Sequence, residues 1–365
     1  LDEAGTLLNS IEEEKSLETI IDVAYLYMDM GYPEKALPWL TLGLEEYKEN
    51  EEFLAAMADC YRSGERNTKA ISFYNKLIDK NPYNPSYWTG LAKCHFSQQE
   101  FDKAVEACDF ALAADDKFGE AHIIRAHSLF HLENETEAIQ EYQLALQSKS
   151  LPPDFAHMFI GLAYANQEKW ELAYRSYEQA MKIIGDDNSP ILSDIYSNEI
   201  FCLSKLGRYE EAHQLCEKAK KQLPESVEIY LQEGRLYLEE DKFEEAKQCW
   251  AVALQYAPEA ETLVQIGNYS LDYGMVENAR LCFEEAKKQD PDYPGINGRL
   301  ASICMILRDH KGFQKYNQMS ETPLNIEMIQ EMLSQNTDKD ILQNLETFMN
   351  ELDDVNDGET EEENN

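Results

Sequence analysis

The sequence predicts an all-α protein built as a solenoid of stacked helix hairpins. The prediction rests on a residue pattern that recurs about every 34 residues, and on apolar spacing typical of helices within each copy. The clearest copy runs from Val227 to Pro258. Two groups in it share helix faces: Tyr230, Gly234 and Tyr237 in a first helix, then Phe243, Ala246, Trp250 and Ala253 in a second. A hairpin of this size cannot bury its apolar face alone, so it needs neighbouring copies.

Two series of small residues carry the repeat along the chain. The alanine of the second helix recurs at Ala36, Ala70, Ala104, Ala138, Ala173, Ala212, Ala246 and Ala279. A small residue mostly lies twelve positions earlier, at Ala24, Ala58, Ala92, Ala126, Gly161, Gly234 and Gly267, with Ile200 as the exception. Small side chains are needed where helix backbones approach closely, and larger ones fill the space beside them. The two series therefore predict helices that cross at these points.

This pattern resembles the tetratricopeptide repeat (TPR) family, and the resemblance covers roughly residues 1–320. The resemblance implies a right-handed superhelix of TPR helix hairpins whose first helices line a concave groove. It also implies that the groove binds peptides or helices of other proteins. One branch of the family clamps a chaperone C-terminus with a lysine and an asparagine one turn apart. No repeat here has that pair at the corresponding positions.

Four segments follow from the pattern in chain order. Residues 1–16 match the second helix of a truncated preceding repeat, so we expect the chain to be a fragment of a longer protein. Residues 17–320 hold the TPR solenoid of about nine repeats. Residues 321–352 are predicted to form two C-terminal capping helices, since Thr322 and Pro323 are typical of a helix start. Residues 353–365 are an acidic tail that we expect to be disordered.

Charge excludes some classes of partner. The 365 residues include 70 acidic and 32 basic ones, for a formal net charge of −38. This argues against nucleic acid or an anionic membrane as the partner. The charge either favours a basic partner or keeps a long exposed surface soluble. No apolar run approaches the length of a membrane span.

The eight cysteines fall on recurring positions of the predicted helices and never form a CxxC pair. We interpret them as small buried apolar residues. Unpaired buried thiols favour a reducing compartment, so we expect a cytoplasmic protein.

Catalytic and cofactor chemistry is not indicated. The sequence has no set of nucleophile, base and oxyanion donor at a usable spacing, and no phosphate-binding or dinucleotide-binding fingerprint. His127 and His131 lie one helical turn apart and could hold a metal, but no third ligand has a matching spacing nearby. We therefore predict a protein that is not an enzyme and that needs neither a cofactor nor a metal.

The resemblance gives the candidate binding residues, because the inward positions of the family transfer repeat by repeat. They are Tyr25, Arg62, Lys93, Phe96, His127, Phe130, Phe155, Met158, Phe201, Lys205 and Arg235. We expect Phe96, Phe130, Phe155 and Phe201 to line one strip of the groove and to anchor an amphipathic helix or an extended apolar peptide. Lys93, Lys205 and Arg235 should flank that strip and accommodate acidic residues of the ligand.

The sequence thus predicts a non-catalytic scaffold that binds a protein or peptide partner in its concave groove. Two alternatives stay open. The chain could be an auxiliary domain of a larger enzyme or of a secretion or assembly machine that extends upstream of Leu1. It could also be an acidic, chaperone-like binder of a basic protein.

Overall fold

A computed structural model describes residues 16–185 and 189–324 of the chain. Within these residues all regular structure is helical, and eighteen α-helices form nine consecutive hairpins. The helix predicted for residues 1–16 lies outside the described residues except for Ser16. The acidic tail at 353–365 and all but the start of the capping segment at 321–352 lie outside them too.

The chain divides into two compact units, Leu1–Cys202 and Leu203–Asn365, and the division falls inside the eleventh helix. The helices that begin in the first unit are α1 (Leu17–Asp29), α2 (Pro33–Tyr47), α3 (Glu51–Ser63), α4 (Asn67–Lys80), α5 (Pro85–Ser97), α6 (Phe101–Ala114), α7 (Gly119–His131), α8 (Glu135–Gln147), α9 (Pro153–Asn166), α10 (Trp170–Ile184) and α11 (Leu192–Lys205). Odd-numbered helices are the first helices of their hairpins. Within this unit each of the first four hairpins packs on the next.

The second unit continues the same arrangement. Its helices are α12 (Tyr209–Gln222), α13 (Val227–Glu239), α14 (Phe243–Tyr256), α15 (Ala260–Asp272), α16 (Val276–Gln289), α17 (Ile296–Ile306) and α18 (His310–Gln318). Its core is continuous from α15 to α17, where Phe283 and Ile303 are fully buried.

Local sequence explains where the first helices begin. The side chains of Ser16, Asn50 and Asn84 each accept a hydrogen bond from a backbone N–H of the first turn that follows. Such caps satisfy donors that would otherwise have no partner within the helix. In α5 and α9 a proline, Pro85 and Pro153, occupies the first turn, where its missing N–H costs nothing.

The turn inside every described hairpin contains one residue in the left-handed conformation. These residues are Gly31, Glu65, Gln99, Glu133, Glu168, Gly207, Asp241, Gly274 and Arg308. The following residue donates its N–H to the carbonyl five positions back, as Asn134 does to Leu129 at 2.9 Å, which closes the first helix. The turn therefore has the same backbone geometry whether or not the sequence supplies glycine.

Small and large residues interlock between the two helices of a hairpin, as the two series predict. All eight alanines of the second-helix series have no exposed surface. A Cβ added to Gly234 would lie 2.2 Å from Nε1 of Trp250, and one added to Gly267 would lie 2.4 Å from the ring of Phe283. Glycine is required at these positions because the ring of the second helix lies directly on the backbone of the first.

The cysteine prediction is confirmed at six positions and wrong at two. Cys249 and Cys282 are half-buried, because they lie one residue before the buried second-helix positions of Cys108 and Cys216. All eight are free thiols, and burial raises the pKa of each, to about 12 at Cys249 and about 11 at Cys282. None of the helices in the described part of the chain combines the length and the apolar run that crossing a bilayer requires.

Candidate binding site

The first unit contains an open apolar pocket of about 300 Å³. Its lining comes from the first helices of three consecutive hairpins, α5, α7 and α9, and from one residue of α8. The lining residues are Phe96, His127, Phe130, His131, Tyr142, Phe159 and Leu162. Three residues predicted from the sequence, Phe96, His127 and Phe130, therefore lie together in one pocket.

The repeat period explains why these side chains meet. Phe96 and Phe130 each lie four residues after the small residue of their repeat, one turn further along the same helix face. His127 and Leu162 each lie one residue after that small residue, so they are equivalent positions of consecutive hairpins. Stacking the hairpins brings equivalent positions side by side, which gathers aromatic residues from separate repeats at one place.

Ring contacts hold the walls of the pocket in place. On one side His131 stacks on Phe101 with ring centroids 4.5 Å apart, and Phe96 packs edge-on against both rings. On the other side Phe159 stacks on Tyr142 at 5.3 Å. Offset and edge-to-face contacts of this kind stabilise aromatic pairs beyond the area they bury. The pocket is thus preformed by the protein's own packing.

His127 contributes a polar side chain to this aromatic cluster. Its Nδ1 lies 2.8 Å from the hydroxyl of Tyr142, and Phe159 packs edge-on against its ring at 4.7 Å. Burial lowers the pKa of His127 to about 4, and the nearby His131 contributes to the shift. Burial also raises the pKa of Tyr142. At neutral pH both groups are therefore uncharged.

Tyr25 and Arg62 are engaged within the chain. The carboxylate of Asp59 accepts hydrogen bonds from the Tyr25 hydroxyl at 3.1 Å and from the Tyr74 hydroxyl at 2.6 Å. Arg62 donates to the same carboxylate and to the Tyr74 hydroxyl, both at 3.3 Å. This half-buried network holds α1, α3 and α4 together, so both candidates have a structural role.

The predicted flanking cations also have partners. Lys93 Nζ lies 2.5 Å from a carboxylate oxygen of Glu120, and Lys205 Nζ lies 2.8 Å from one of Glu239. Arg235 stands over a tyrosine ring, 5.4 Å from its centroid. The two ammonium groups are already neutralised by carboxylates of the chain. They therefore give no reason to expect acidic residues in a ligand.

Phe155, Met158 and Phe201 do not line the pocket. Phe155 packs partly buried against a core formed by α7, α8 and α9, Met158 is buried, and Phe201 lies edge-on to a tryptophan ring at 5.5 Å. For Phe155 the physical reason is register, because it precedes the small residue of its repeat by six positions, whereas Phe96 and Phe130 follow theirs by four. Phe201 has the register of His127 but lies two hairpins further along the chain. The predicted strip of four phenylalanines therefore contributes two residues to the pocket.

Sequence reasoning missed four residues of the lining. Phe159 and Leu162 lie on α9, His131 ends α7, and Tyr142 comes from the second helix of its hairpin. A usable signal was the equivalence of Leu162 with His127 in the repeat register. No spacing rule would have pointed to Phe159, because its ring enters the pocket by stacking on a side chain of the neighbouring hairpin.

Metal binding finds no support at this place. Among the residues that the structure describes, no three histidine, cysteine or acidic side chains converge as a metal site would require. His131 is stacked flat on Phe101, and His127 turns one ring nitrogen toward a tyrosine hydroxyl.

Comparison with known families identifies the repeat. Residues 203–265 and 156–191 match two models described as tetratricopeptide repeat, and residues 63–145 match one described as anaphase-promoting complex, cyclosome, subunit 3. The chain is a tetratricopeptide repeat protein. Five of the seven pocket residues lie within residues 63–145, and the other two, Phe159 and Leu162, lie within residues 156–191.

Individual TPR relatives are distant. Anaphase-promoting complex subunit 7 of Dictyostelium discoideum is 23% identical over 250 residues, which cover 67% of this chain and 41% of that protein. DnaJ homolog subfamily C member 7 of Homo sapiens is 22% identical over 275 residues, which cover 70% and 56%. The chain thus spans about half the length of these curated relatives. A crystal structure of a TPR protein from Parabacteroides merdae aligns with a TM-score of 0.51 at 16% identity, over 78% of this chain and 96% of that one, and supports the fold.

Proposed function

We propose that this TPR protein is a non-catalytic scaffold that binds a segment of a partner protein, with the pocket of Phe96, Phe130 and Phe159 as the anchor site. The TPR repeat itself supports a protein-binding role. So do relatives such as a subunit of the anaphase-promoting complex, which by its name works within an assembly of proteins. The eight free thiols favour the reducing environment of the cytoplasm.

The pocket is the observation that carries the proposal. It has the size of a small ligand site and is walled by aromatic rings that ring contacts within the chain hold in place. An apolar side chain that enters it exchanges water contact for ring contact without waiting for the walls to reorganise. Aromatic residues in such pockets commonly supply most of the binding energy of an interface.

The charge around the pocket indicates which residue types flank the apolar anchor of the bound segment. Residues 96–162 hold twelve acidic and four basic residues, a net charge of −8. Two of the four bases, Lys103 and Arg125, already lie within ion-pair distance of acidic residues of the chain. Opposite charge steers association and like charge opposes it. We therefore assign the pocket a partner segment with one apolar anchor between lysine or arginine residues.

The same argument disfavours two other occupants. Residues 325–365 contain apolar residues at helical spacing, but also thirteen acidic residues against one base. A second copy of the chain brings its own charge of −38. Both would be repelled from the acidic surroundings of the pocket, whereas a basic segment would be attracted.

A general acidic chaperone for basic proteins is the second candidate function, and the charge of −38 favours it. The two functions differ in how binding responds to salt and to the pocket. Binding by charge alone fades as salt screens it and ignores a change in the pocket. Anchored binding keeps its dependence on the apolar side chain at high salt.

The test uses three fluorescent, acetylated and amidated 15-residue peptides. The first has one leucine between lysine-rich flanks, the second replaces the leucine by alanine, and the third replaces the lysines by glutamates. Fluorescence anisotropy gives the dissociation constants with wild-type protein, with Phe130→Ala, and with Phe110→Ala as the control. Phe110 is matched in type, but it is 49% exposed on α6, stacks on Trp88 and does not line the pocket.

We expect the lysine-flanked leucine peptide to bind best. Phe130→Ala should weaken it about tenfold to a hundredfold, corresponding to about 1–3 kcal/mol, and Phe110→Ala should leave it unchanged. Circular dichroism checks that both variants fold. Equal affinity for the leucine and alanine peptides, or for the two variants, would remove the pocket from the binding site.

A further inference from the structure

The hydrogen bond between Tyr142 and His127 has a direction that the surroundings determine. The Tyr142 side chain is 1% exposed, and its hydroxyl has one partner among the described residues, Nδ1 of His127 at 2.8 Å. A buried hydroxyl proton needs an acceptor, since leaving it without one is costly. The imidazole nitrogen is the acceptor within reach, so the tyrosine O–H donates to it.

This direction determines which ring nitrogen of His127 carries the hydrogen. In a neutral imidazole one nitrogen carries hydrogen and the other accepts. With Nδ1 accepting from Tyr142, the hydrogen of His127 is on Nε2. Burial favours the neutral ring, consistent with the lowered pKa of His127. Nε2 has no hydrogen-bond partner in the part of the chain that the structure describes, and its residue lines the pocket.

We propose that His127 determines the specificity of this pocket by donating its Nε2–H to a carbonyl oxygen of the anchored segment. The inference rests on the proposed function, because it names the contact that orients the same bound segment. Tyr142 is the positioning residue, since its hydroxyl fixes which nitrogen carries the hydrogen. The ligand class is a peptide segment that offers an apolar side chain and, beside it, a free main-chain carbonyl.

Alternative ligand groups fit this donor less well. An ammonium group has hydrogens to donate and nothing to accept with, so it cannot pair with an N–H. A carboxylate could accept, but the surrounding net charge of −8 over residues 96–162 opposes it. A main-chain carbonyl is neutral, accepts well and lies a short distance from any side chain that fills the pocket.

Neighbouring repeats show that a neutral donor at this position belongs to one hairpin. The position equivalent to His127 is Leu162 in the following hairpin, which offers no polar atom. In the two preceding hairpins it is Lys93, whose ammonium group pairs with Glu120, and Asp59, whose carboxylate accepts from two tyrosine hydroxyls. Among these four hairpins His127 therefore provides the uncharged donor, and it marks one point along the groove where the backbone of a bound segment would be held.

The first experiment examines the free protein. Nitrogen-15 NMR of the histidine rings distinguishes the two neutral forms, and we expect His127 to carry its hydrogen on Nε2. Tyr142→Phe removes the hydroxyl that donates to Nδ1, so we expect a mixture of the two neutral forms of the His127 ring. A hydrogen on Nδ1 in the wild type would overturn the inference without touching the proposed function.

The second experiment measures the contact itself. The probe is the lysine-flanked leucine peptide, together with an analogue in which the amide after the leucine is an ester, whose carbonyl is a weaker acceptor. We expect His127→Phe to weaken the amide peptide about threefold to tenfold and His127→Gln, which keeps a donor, to weaken it less than about twofold. The ester should bind the wild type several-fold more weakly than the amide does, and should bind His127→Phe as well as the amide does.

Controls separate this inference from the proposed function. His157→Phe changes a histidine of α9 that does not line the pocket, and we expect it to alter the affinity less than about twofold. If His127→Phe binds both peptides like the wild type while Phe130→Ala binds weakly, the donor role is wrong and the pocket stands. If Phe130→Ala binds like the wild type, the pocket itself is wrong.

Discussion

In the second helices of the first unit, the residue fifteen positions earlier determines whether a buried tyrosine hydroxyl has a hydrogen-bond partner. Asp59 accepts from Tyr74 at 2.6 Å, and His127 lies 2.8 Å from the hydroxyl of Tyr142. Tyr177 has the same place in its hairpin and no exposed surface, but the residue fifteen positions earlier is a leucine. Its hydroxyl has no hydrogen-bond partner among the described residues.

This contrast gives a prediction for paired tyrosine variants. Tyr177→Phe should leave the free energy of unfolding unchanged or raise it by about 1 kcal/mol, because the removed hydroxyl is buried without a partner. Tyr142→Phe should lower it by about 1 kcal/mol, because a made hydrogen bond is lost. Urea denaturation of the two variants and the wild type measures the difference. A larger loss in Tyr177→Phe than in Tyr142→Phe would contradict this account of the two sites.

The buried imidazole of His127 predicts how stability depends on pH. Its pKa is about 4 in the folded protein, below the ordinary value of about 6.5 that it regains on unfolding. The unfolded chain therefore binds more protons between these values, and stability is lost as the pH falls from about 6.5 to 4. The charged and titratable groups that face this ring are His131 on its own helix and Tyr142 on α8.

The measurement compares wild type and His127→Phe by urea denaturation at pH 7 and at pH 4.5. Other groups titrate in both proteins, so their difference isolates this ring. We expect the wild type to lose up to about 3 kcal/mol more than the variant over this window. Parallel loss in the two proteins would show that His127 takes up its proton in the folded state as readily as in the unfolded one.

At the residue scale, the sequence predicted which residues lie at the site better than it predicted which side chains contact each other. The repeat register placed Phe96, His127 and Phe130 at inward positions of the predicted groove, and the structure brings them together in one pocket. It could not foresee that Lys93 would pair with Glu120, or that Phe159 would stack into the site. Such contacts depend on side-chain rotamers and on residues of neighbouring hairpins, and the period does not specify either.

At the scale of the helix hairpin, the turn between the two helices has the same backbone conformation in every described repeat. Glycine occupies its left-handed position in three described hairpins, and larger residues occupy it in six. A side chain with a Cβ is strained in this conformation, by about 1–2 kcal/mol, whereas glycine is not. The stacking of neighbouring hairpins evidently holds the turn even where its residue disfavours it.

Exchanging residues at this turn should change stability in opposite directions. Glu168→Gly should raise the free energy of unfolding by about 0.5–1 kcal/mol, because its residue is exposed and adopts a φ of 56°. Gly31→Ala should lower it by about 1–2 kcal/mol through the backbone alone, since nothing lies within 4 Å of an added Cβ. Thermal melts of both variants measure the effect. A destabilised Glu168→Gly would mean that its side chain makes a contact that outweighs the strain.

Helix positions were the most predictable feature of the fold. The 34-residue period and the prolines locate helix starts at Leu17, Glu51, Pro85 and Gly119. The left-handed turn residues were not predictable, because six of the nine are ordinary polar residues rather than glycine. Their conformation follows from the packing of two helices of fixed length, and no local preference signals it.

At the scale of the whole molecule, the acidic excess sets the character of the surface. The net charge of −38 leaves most carboxylates without a basic partner, since only 32 basic residues face 70 acidic ones. Composition predicts this excess directly. It does not reveal which bases are used inside the chain, and the pairs at Lys93 and Lys205 remove the reason to expect acidic residues in a ligand.

The most direct test of the central claim maps where an anchored segment touches the protein. The lysine-flanked peptide is made with a photo-activatable leucine at the anchor, irradiated with the full chain, and the attachment sites are read by mass spectrometry. The account predicts attachment to the pocket residues Phe96, Phe130, Phe159 and Leu162, and loss of that signal when an excess of the unlabelled peptide competes. Attachment that concentrates on α6 near Phe110, or anywhere in the unit Leu203–Asn365, would contradict it.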